Sequence, residues 1–454
     1  EKFPEVVDSA PELLARHYTE ANLTEQAIAY WQRAGQKAIE RSANLEAVDQ
    51  LGKALELLER LPDTPQRAQQ ELKLQITLAV PLTATSGYAA PEVERAYTRA
   101  RALCQQIGDT TQLFPALYGL WRYYLLRAEY AIARELSQEL LAQAERTDDP
   151  GFLVAAHRAL GATLFYLGEL SGSRTNLEHA IEERTRAGTL IKDVYDVVDP
   201  GVASRAYAAW ALWLLGYPEQ ALKLSDDAIG LAQELAHPFS VALALSFAAW
   251  LHQFCRDPKR TRERAEAALT LATEQGFPFW IGWDNVLCGW ALAEEGQDDM
   301  AITRIREGLA FWRAKGSELG EAYFLVLLAE AYAKKARVED ALNALAEAQA
   351  FADKTDEHWW QAEIHRLRGE LLLMSNAANG DDAETCFQQA LDLARRQQAR
   401  SLELRAAMSL SRLWQARGKV QNARELLAPI YDWFSEGANT PDFKEAKTLL
   451  KQLT

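Results

Sequence analysis

The stretch AWALWLLGYPEQALKLSDDAIGLAQELAHPFSVALALSFAAW (209–250) begins and ends on the same pair of residues, Ala209-Trp210 and Ala249-Trp250, 40 positions apart. The interval continues through Gly289-Trp290, Ala329-Glu330 and Gly369-Glu370. A small residue therefore holds one register over 160 positions. A fixed period of roughly 20–50 residues marks a solenoid of stacked units, each burying its core against its neighbours.

Outward from this ladder, Ala, Leu, Glu, Gln and Arg dominate and β-branched residues are sparse, which predicts an all-α chain. Hydrophobic residues make up 48%, enough for a continuous core. The formal charge of −15 argues against a general nucleic-acid surface, which needs Lys and Arg to neutralise phosphates. Cys104, Cys255, Cys288 and Cys386 are scattered and form no CxxC, a pattern of buried free thiols in a reducing cytoplasm. No apolar run reaches the roughly 18–20 residues of a membrane span, and no basic segment precedes an apolar signal stretch. Residue 1 is Glu, which leads us to expect a piece of a longer protein.

The ladder fits the tetratricopeptide template: a small residue at position 8, often Gly at 15, Ala at 20 and Ala at 27. Helices are predicted at about 11–21, 24–41 and 45–61, the first with Ser9 and Glu12 as a capping box, and Gly35, Ser42, Ala47 and Ala54 fit a first unit over the second and third. The next unit is irregular, with helices at about 66–82 and 91–107 around a long turn at 83–90. A third carries Trp121 where the small residue belongs. From Gly161 onward the fit is regular through Gly289, Gly296, Ala301 and Gly308 to Ser411, Gly418 and Ala423, with a two-residue insertion at about 376–380. The expectation is a right-handed superhelical solenoid of about ten helical hairpins, spanning 1–454 as one body. Its parts are 1–62, irregular repeats at 63–150, regular repeats at 151–434 and a capping helix at 435–454. Small residues at positions 8 and 20 let two antiparallel helices approach closely. The 40-residue period implies helices of roughly 17 residues, near 25 Å long. From Gly161 to Ala209 the interval stretches to 48, which places a loop at 184–200 containing Asp193, Tyr195, Asp196 and Asp199. Such insertions often sit on a binding face.

Catalytic motifs are missing: no GxxxxGK[ST], HExxH or GxSxG occurs. His358 and His365 share a helix face near Glu363 but show no third metal ligand. The aspartates at 193, 196 and 199 lack the glycine and the twelfth-position glutamate of a calcium loop. Neither a catalytic residue nor a metal site is assigned, and the chain is expected to hold no cofactor.

In a tetratricopeptide array, positions 2, 5, 9, 12 and 13 of each first helix line the concave groove. Here they give Tyr118 and Arg122, then Arg158, Phe165 and Tyr166, then Trp210 and Trp213. Ser246, Trp250, Gln253 and Phe254 follow, then Trp283, Trp290 and Glu294. The last units supply Tyr323, Glu330 and Lys334, then Glu363, Arg366 and Glu370, then Arg405 and Arg412. This inner wall is aromatic in its middle and charged toward its C-terminal end. Two readings of the tryptophans stand together. They anchor a peptide or ligand in an open groove, or they fill a closed core between adjacent first helices.

The runs PELLARHYTEANLTEQAIAYWQRAGQKAIERS (11–42), GYAAPEVERAYTRARALC (87–104) and HRALGATLFYLGEL (157–170) add a family resemblance, as do EQGFPFW (274–280) and ETCFQQALDLARRQQARSLELRAAMSLSRLW (384–414). Together they resemble the C-terminal tetratricopeptide region of bacterial signalling proteins in which a class III adenylate/guanylate cyclase or other effector precedes a STAND-type AAA+ ATPase. More loosely, the period is similar to the sensor repeats of the maltose-activator type. The resemblance implies a non-catalytic cytoplasmic sensor arm. It would bind a protein, a peptide or a small-molecule inducer and act on an ATPase domain in cis. ATP and Mg would be bound upstream of residue 1, because no Walker motif or cyclase aspartate pair maps onto this chain. The alternative is a passive scaffold for self-association. Nucleic acid and membrane are not expected partners.

Overall fold

Helix ends recur every 20 residues, half of the 40-residue period. Pro218, Pro238, Pro258 and Pro278 each open a helix, where the missing N–H has no intrahelical role. Left-handed backbone closes helices at Gly216, Ala236, Arg256, Gly276, Gly296, Gly316, Ala336 and Asp356. Ala236, Arg256 and Ala336 hold it at φ 49°, 54° and 55°, although the conformation costs a side chain about 1–2 kcal/mol. The turn geometry thus outlasts the glycine that favours it.

A computed structural model of the chain describes residues 10–41, 43–109, 111–188 and 198–453. Among them are 22 α-helices and no strand. Contacts divide the chain into two compact units, Glu1–Arg127 with Lys315–Ser317, and Ala128–Ala314 with Glu318–Thr454.

The first unit contains α1 (Pro11–Glu20), α2 (Thr24–Glu40), α3 (Asn44–Leu58), α4 (Pro65–Ser86), α5 (Pro91–Ile107) and α6 (Leu113–Leu126). Ile28, Trp31, Leu51 and Leu74 centre one of its cores. Ser9 of the expected capping box lies outside the described residues, and Ala10 is the residue before α1. Helix α4 runs four residues into the expected turn. Thr83 and Thr85 donate their hydroxyls to the carbonyls of Ala79 (2.7 Å) and Pro81 (2.9 Å), so both hydroxyls are satisfied within the last turns. Trp121 is fully buried, and the close approach moves to Gly119, where an added Cβ would meet Tyr97 at 2.3 Å.

The second unit opens with α7 (Tyr130–Thr147) and continues in hairpins. These are α8 (Pro150–Tyr166) with α9 (Leu170–Ala187), α10 (Pro200–Leu214) with α11 (Pro218–Glu234), and α12 (Pro238–Phe254) with α13 (Pro258–Gln275). Next come α14 (Pro278–Glu294) with α15 (Asp298–Ala314), and α16 (Glu321–Lys334) with α17 (Val338–Thr355). The series ends with α18 (Gln361–Ser375) and α19 (Gly380–Gln397), then α20 (Arg400–Ala416) and α21 (Val420–Trp433), and finally α22 (Pro441–Gln452). The insertion near 376–380 forms a 3-10 turn, Ala377–Asn379.

Close helix approach follows the ladder. A Cβ on Gly161 would meet Leu177 at 2.6 Å, and one on Gly289 would meet Ile305 at 2.6 Å. The Ser173 hydroxyl donates to the Gly161 carbonyl at 2.7 Å, tying position 20 to position 8. The first helix of each regular hairpin up to α16 is apolar on nearly all sides and buried, whereas the second helices are amphipathic. Burial on every side is possible because the repeats coil back on themselves. The Ser401 hydroxyl donates to the Trp213 carbonyl (2.5 Å), and Arg405 donates to the Phe254 carbonyl (2.6 Å). These partners lie 188 and 151 positions apart. The four cysteines are buried free thiols, and burial pushes Cys255 and Cys288 up to about 12.

Candidate functional site

The aromatic half of the expected groove is a closed core. Trp210, Trp250, Phe165, Tyr166 and Phe254 have no exposed surface, and Trp213 and Trp283 are at most 3% exposed. The Trp210 ring stacks on Phe247 at 4.0 Å and donates Nε1–H to the Phe247 carbonyl at 2.9 Å. Trp250 stacks on Tyr323 at 4.2 Å. The turn before α18 fills the space between them: Trp359 lies 4.9 Å from Phe165 and 5.5 Å from Tyr323, and Trp360 stacks on Phe254 at 5.1 Å. The His358 and Trp359 amides hydrogen-bond the Tyr166 carbonyl, at 2.9 and 3.4 Å. These seven residues, Trp210, Trp250, Phe165, Tyr166, Phe254, Trp213 and Trp283, therefore hold the repeats together, and none of them lines the larger cavity described below. Arg158 is also buried. Tyr118 and Arg122 belong to the first unit, where Tyr118 packs on Trp121 and Arg122 stacks over the Tyr88 ring at 4.6 Å.

Of the loop candidates, Asp193, Tyr195 and Asp196 lie outside the described residues. Asp199 caps α10, accepting from the Gly201 and Val202 amides (2.8 and 3.0 Å), and pairs with Arg184 at 3.1 Å. His358 shares a hydrogen bond with Gln361 at 3.1 Å. Among the described residues no group of three His, Cys, Asp or Glu could hold a metal ion.

The charged half does converge. Gln253, Trp290, Glu330 and Arg366 line one cavity of about 290 Å³, together with Glu294, Lys334, Glu363, Glu370, Arg405 and Arg412. It lies where the C-terminal parts of α12, α14 and α16 meet α18, α20 and α22. Helices α18 and α20 carry charges on their inner faces, so the wall turns polar there. Leu367, Met408 and Ala333 add apolar lining.

Ion pairs organise the walls. Arg366 donates to both oxygens of Glu363 (2.9 and 2.7 Å) and to Glu370 (2.5 Å). Arg405 donates Nε–H to Asp442 at 2.8 Å and lies 3.6 Å from Glu363. Burial alone would raise the Glu363 carboxyl, but Arg366 and Arg405 hold it below its ordinary value. Asp442 is lowered in the same way by Arg405 and Arg256. Glu330 differs. Trp290 donates Nε1–H to it at 2.6 Å, yet burial, with neighbouring Glu363, pushes its carboxyl up to about 7. Arg256, Asp442 and Glu445 were not among the residues expected here. Arg256 reads as a turn residue and Asp442 as a helix start, and no local signal joins them.

No protein-family model matches the chain. An uncharacterized protein of Rhizobium meliloti (strain 1021) is 23% identical over 407 residues, which is 88% of this chain and 39% of that protein. The chain thus spans about two fifths of that relative's length. Among solved structures, a Rap protein complexed with competence and sporulation factor is similar with a TM-score of 0.53 and 14% identity, covering 88% of this chain and 99% of that one. The apo form of RapI has a TM-score of 0.50 and 11% identity, covering 63% and 98%. At these identities the likeness concerns the fold, and that fold is an all-α solenoid of tetratricopeptide-like hairpins.

Proposed function

We propose that the chain is a non-catalytic sensor and protein-interaction module that takes a protein, peptide or small ligand in the charged cavity. The observation that carries this reading is the convergence of six helices from successive repeats on one polar cavity of about 290 Å³. The Rap structure, of similar fold, is complexed with competence and sporulation factor, which supports ligand binding by such a solenoid. A ligand touching α14, α16, α18 and α20 at once would favour one relative setting of those helices. It would shift a conformational equilibrium only by its difference in affinity between the settings.

The module would belong to a larger cytoplasmic signalling protein. The parent's STAND ATPase domain, with ATP and Mg, and any nucleotide-cyclase domain would lie outside this chain. The test is Glu330→Ala with Arg366→Ala in the intact parent. The reading requires loss of ligand-dependent ATPase stimulation. Stimulation that survives, in a chain that light scattering finds as a concentration-dependent oligomer, would favour the self-association scaffold instead.

A further inference from the structure

The cavity carries five cations and six carboxylates, and their pairing is uneven. Arg256 lies 3.1 Å from Asp442 and 2.8 Å from Glu445, and Lys334 lies 3.0 Å from Glu294. Arg412 lies 2.6 Å from Glu445. Arg366 and Arg405 are held by Glu363, Glu370 and Asp442 as described above. Each cation is thus already matched by a carboxylate of the same wall. Among the described residues Glu330 alone of the six carboxylates has no cation within ion-pair distance; Arg366 acts on it only from farther away, and its hydrogen bond comes from a neutral indole.

An anionic ligand would have to displace a carboxylate from an arginine and leave it uncompensated, which is costly in a partly buried site. A cationic ligand needs no such exchange. The flanking Ala333 and Leu367 offer apolar contact to an aliphatic stem. We infer that the cavity receives the guanidinium or ammonium group of a ligand and seats it on the Glu330 carboxylate. This rests on the reading of the cavity as a ligand site and adds the ligand's charge.

Proton linkage gives the inference a second handle. Glu330 is faced by Glu294 from α14, by Glu363 and Arg366 from α18 and by Tyr323 on its own helix, and Glu370, Arg405 and Lys334 line the same cavity. With its carboxyl near 7, Glu330 must lose a proton to pair with a cation, so binding strengthens as pH rises. For one such group, affinity should be about tenfold weaker at pH 6 than at pH 8.

The experiment titrates the full chain with agmatine, cadaverine, the peptide Gly-Ala-Arg-Ala-Gly and citrate, by calorimetry and by NMR of the Trp290 indole. Agmatine or cadaverine binding marks a small basic metabolite as the ligand, and preference for the arginine peptide marks a basic side chain. In either case Glu330→Gln weakens binding at least tenfold and removes the pH dependence, and Glu330→Asp retains part of both. Circular dichroism checks that each variant is folded. Tighter binding of citrate, or cation binding unchanged in a folded Glu330→Gln, overturns the charge assignment while the cavity remains a ligand site. If no probe moves the Trp290 signal at concentrations of about 10 mM, the charge assignment also falls. If the parent's response then ignores Glu330 and Arg366 as well, the cavity reading falls with it.

Discussion

Trp359 and Phe165 stand 194 positions apart in the chain with their rings 4.9 Å apart. Trp359 is fully buried and also meets Trp250, Phe254 and Tyr323. One side chain from the turn before α18 thus joins α8, α12 and α16. The contact turns what would be an open concave wall into a core. Lateral stacking of neighbouring repeats is therefore supplemented by contacts between successive coils of the solenoid.

Trp359→Ala should destabilise the second unit by about 3–5 kcal/mol, as expected for removing a large aromatic from a packed interior. Urea unfolding followed by circular dichroism measures it. Trp433→Ala, at a site 39% exposed, should cost much less. Equal effects would mean that Trp359 does not hold the coils together.

The period, the hairpins and the buried small residues were legible in the sequence because they are set by local repetition. The choice between groove and core was partly legible. Helix α12 (PFSVALALSFAAWLHQF) has no Asp, Glu, Lys or Arg in 17 residues, which suits burial on every side. Charges return in α18 (QAEIHRLRGELLLMS) and α20 (RSLELRAAMSLSRLWQA), where the cavity opens. The groove positions of the repeat family presuppose one solvated face on each first helix. That assumption fails from Phe165 to Trp283, whereas Gln253, Trp290, Glu294 and the groove positions from Glu330 onward border the cavity. Trp359 and Trp360 gave no signal because they lie in a turn and act on partners far away in the chain. The pairing of Arg405 with Asp442 is hidden for the same reason.

Glycine substitutions separate close approach from open helix surface. Gly289→Ala would place a Cβ 2.6 Å from Ile305 and 3.0 Å from the Ala301 carbonyl, and should cost about 1–3 kcal/mol. A Cβ added to Gly52, within α3, would meet nothing within 4 Å, so Gly52→Ala should stabilise by about 0.5–1 kcal/mol. Denaturant midpoints of the two variants should move in opposite directions.

Arg405 joins three elements: its guanidinium reaches Asp442, the Phe254 carbonyl and the face of Trp213 at 5.0 Å. Removing it leaves the buried Asp442 and Glu363 short of a counter-charge. Arg405→Ala should therefore cost about 3–5 kcal/mol. The exposed pair Arg337 with Asp340, at 2.7 Å, provides the control, and Arg337→Ala should change stability far less than Arg405→Ala. A comparable loss in both variants by urea titration would remove the special role of the buried pair.

Buried carboxyls make stability depend on pH in opposite directions. Burial pushes Glu330 and Glu357 from 4.5 up to about 7, against hydrogen bonds from Trp290 to Glu330 and from Tyr130 and Trp359 to Glu357. Between these limits the folded chain keeps protons that the unfolded chain has released. Their contribution is complete below about pH 4.5 and is lost as pH rises through about 7. Glu363 and Asp442 are lowered, so their contribution is lost as pH falls through their folded values. Asp284 and Glu321 are raised by burial too, so between pH 5 and 8 the raised carboxyls should dominate and the chain should lose stability, with Glu330 and Glu357 contributing up to about 3 kcal/mol each. Glu330→Gln and Glu357→Gln should each flatten that decline. A thermal-unfolding series at constant ionic strength measures it, and unchanged slopes in both variants would show that neither carboxyl titrates in this window.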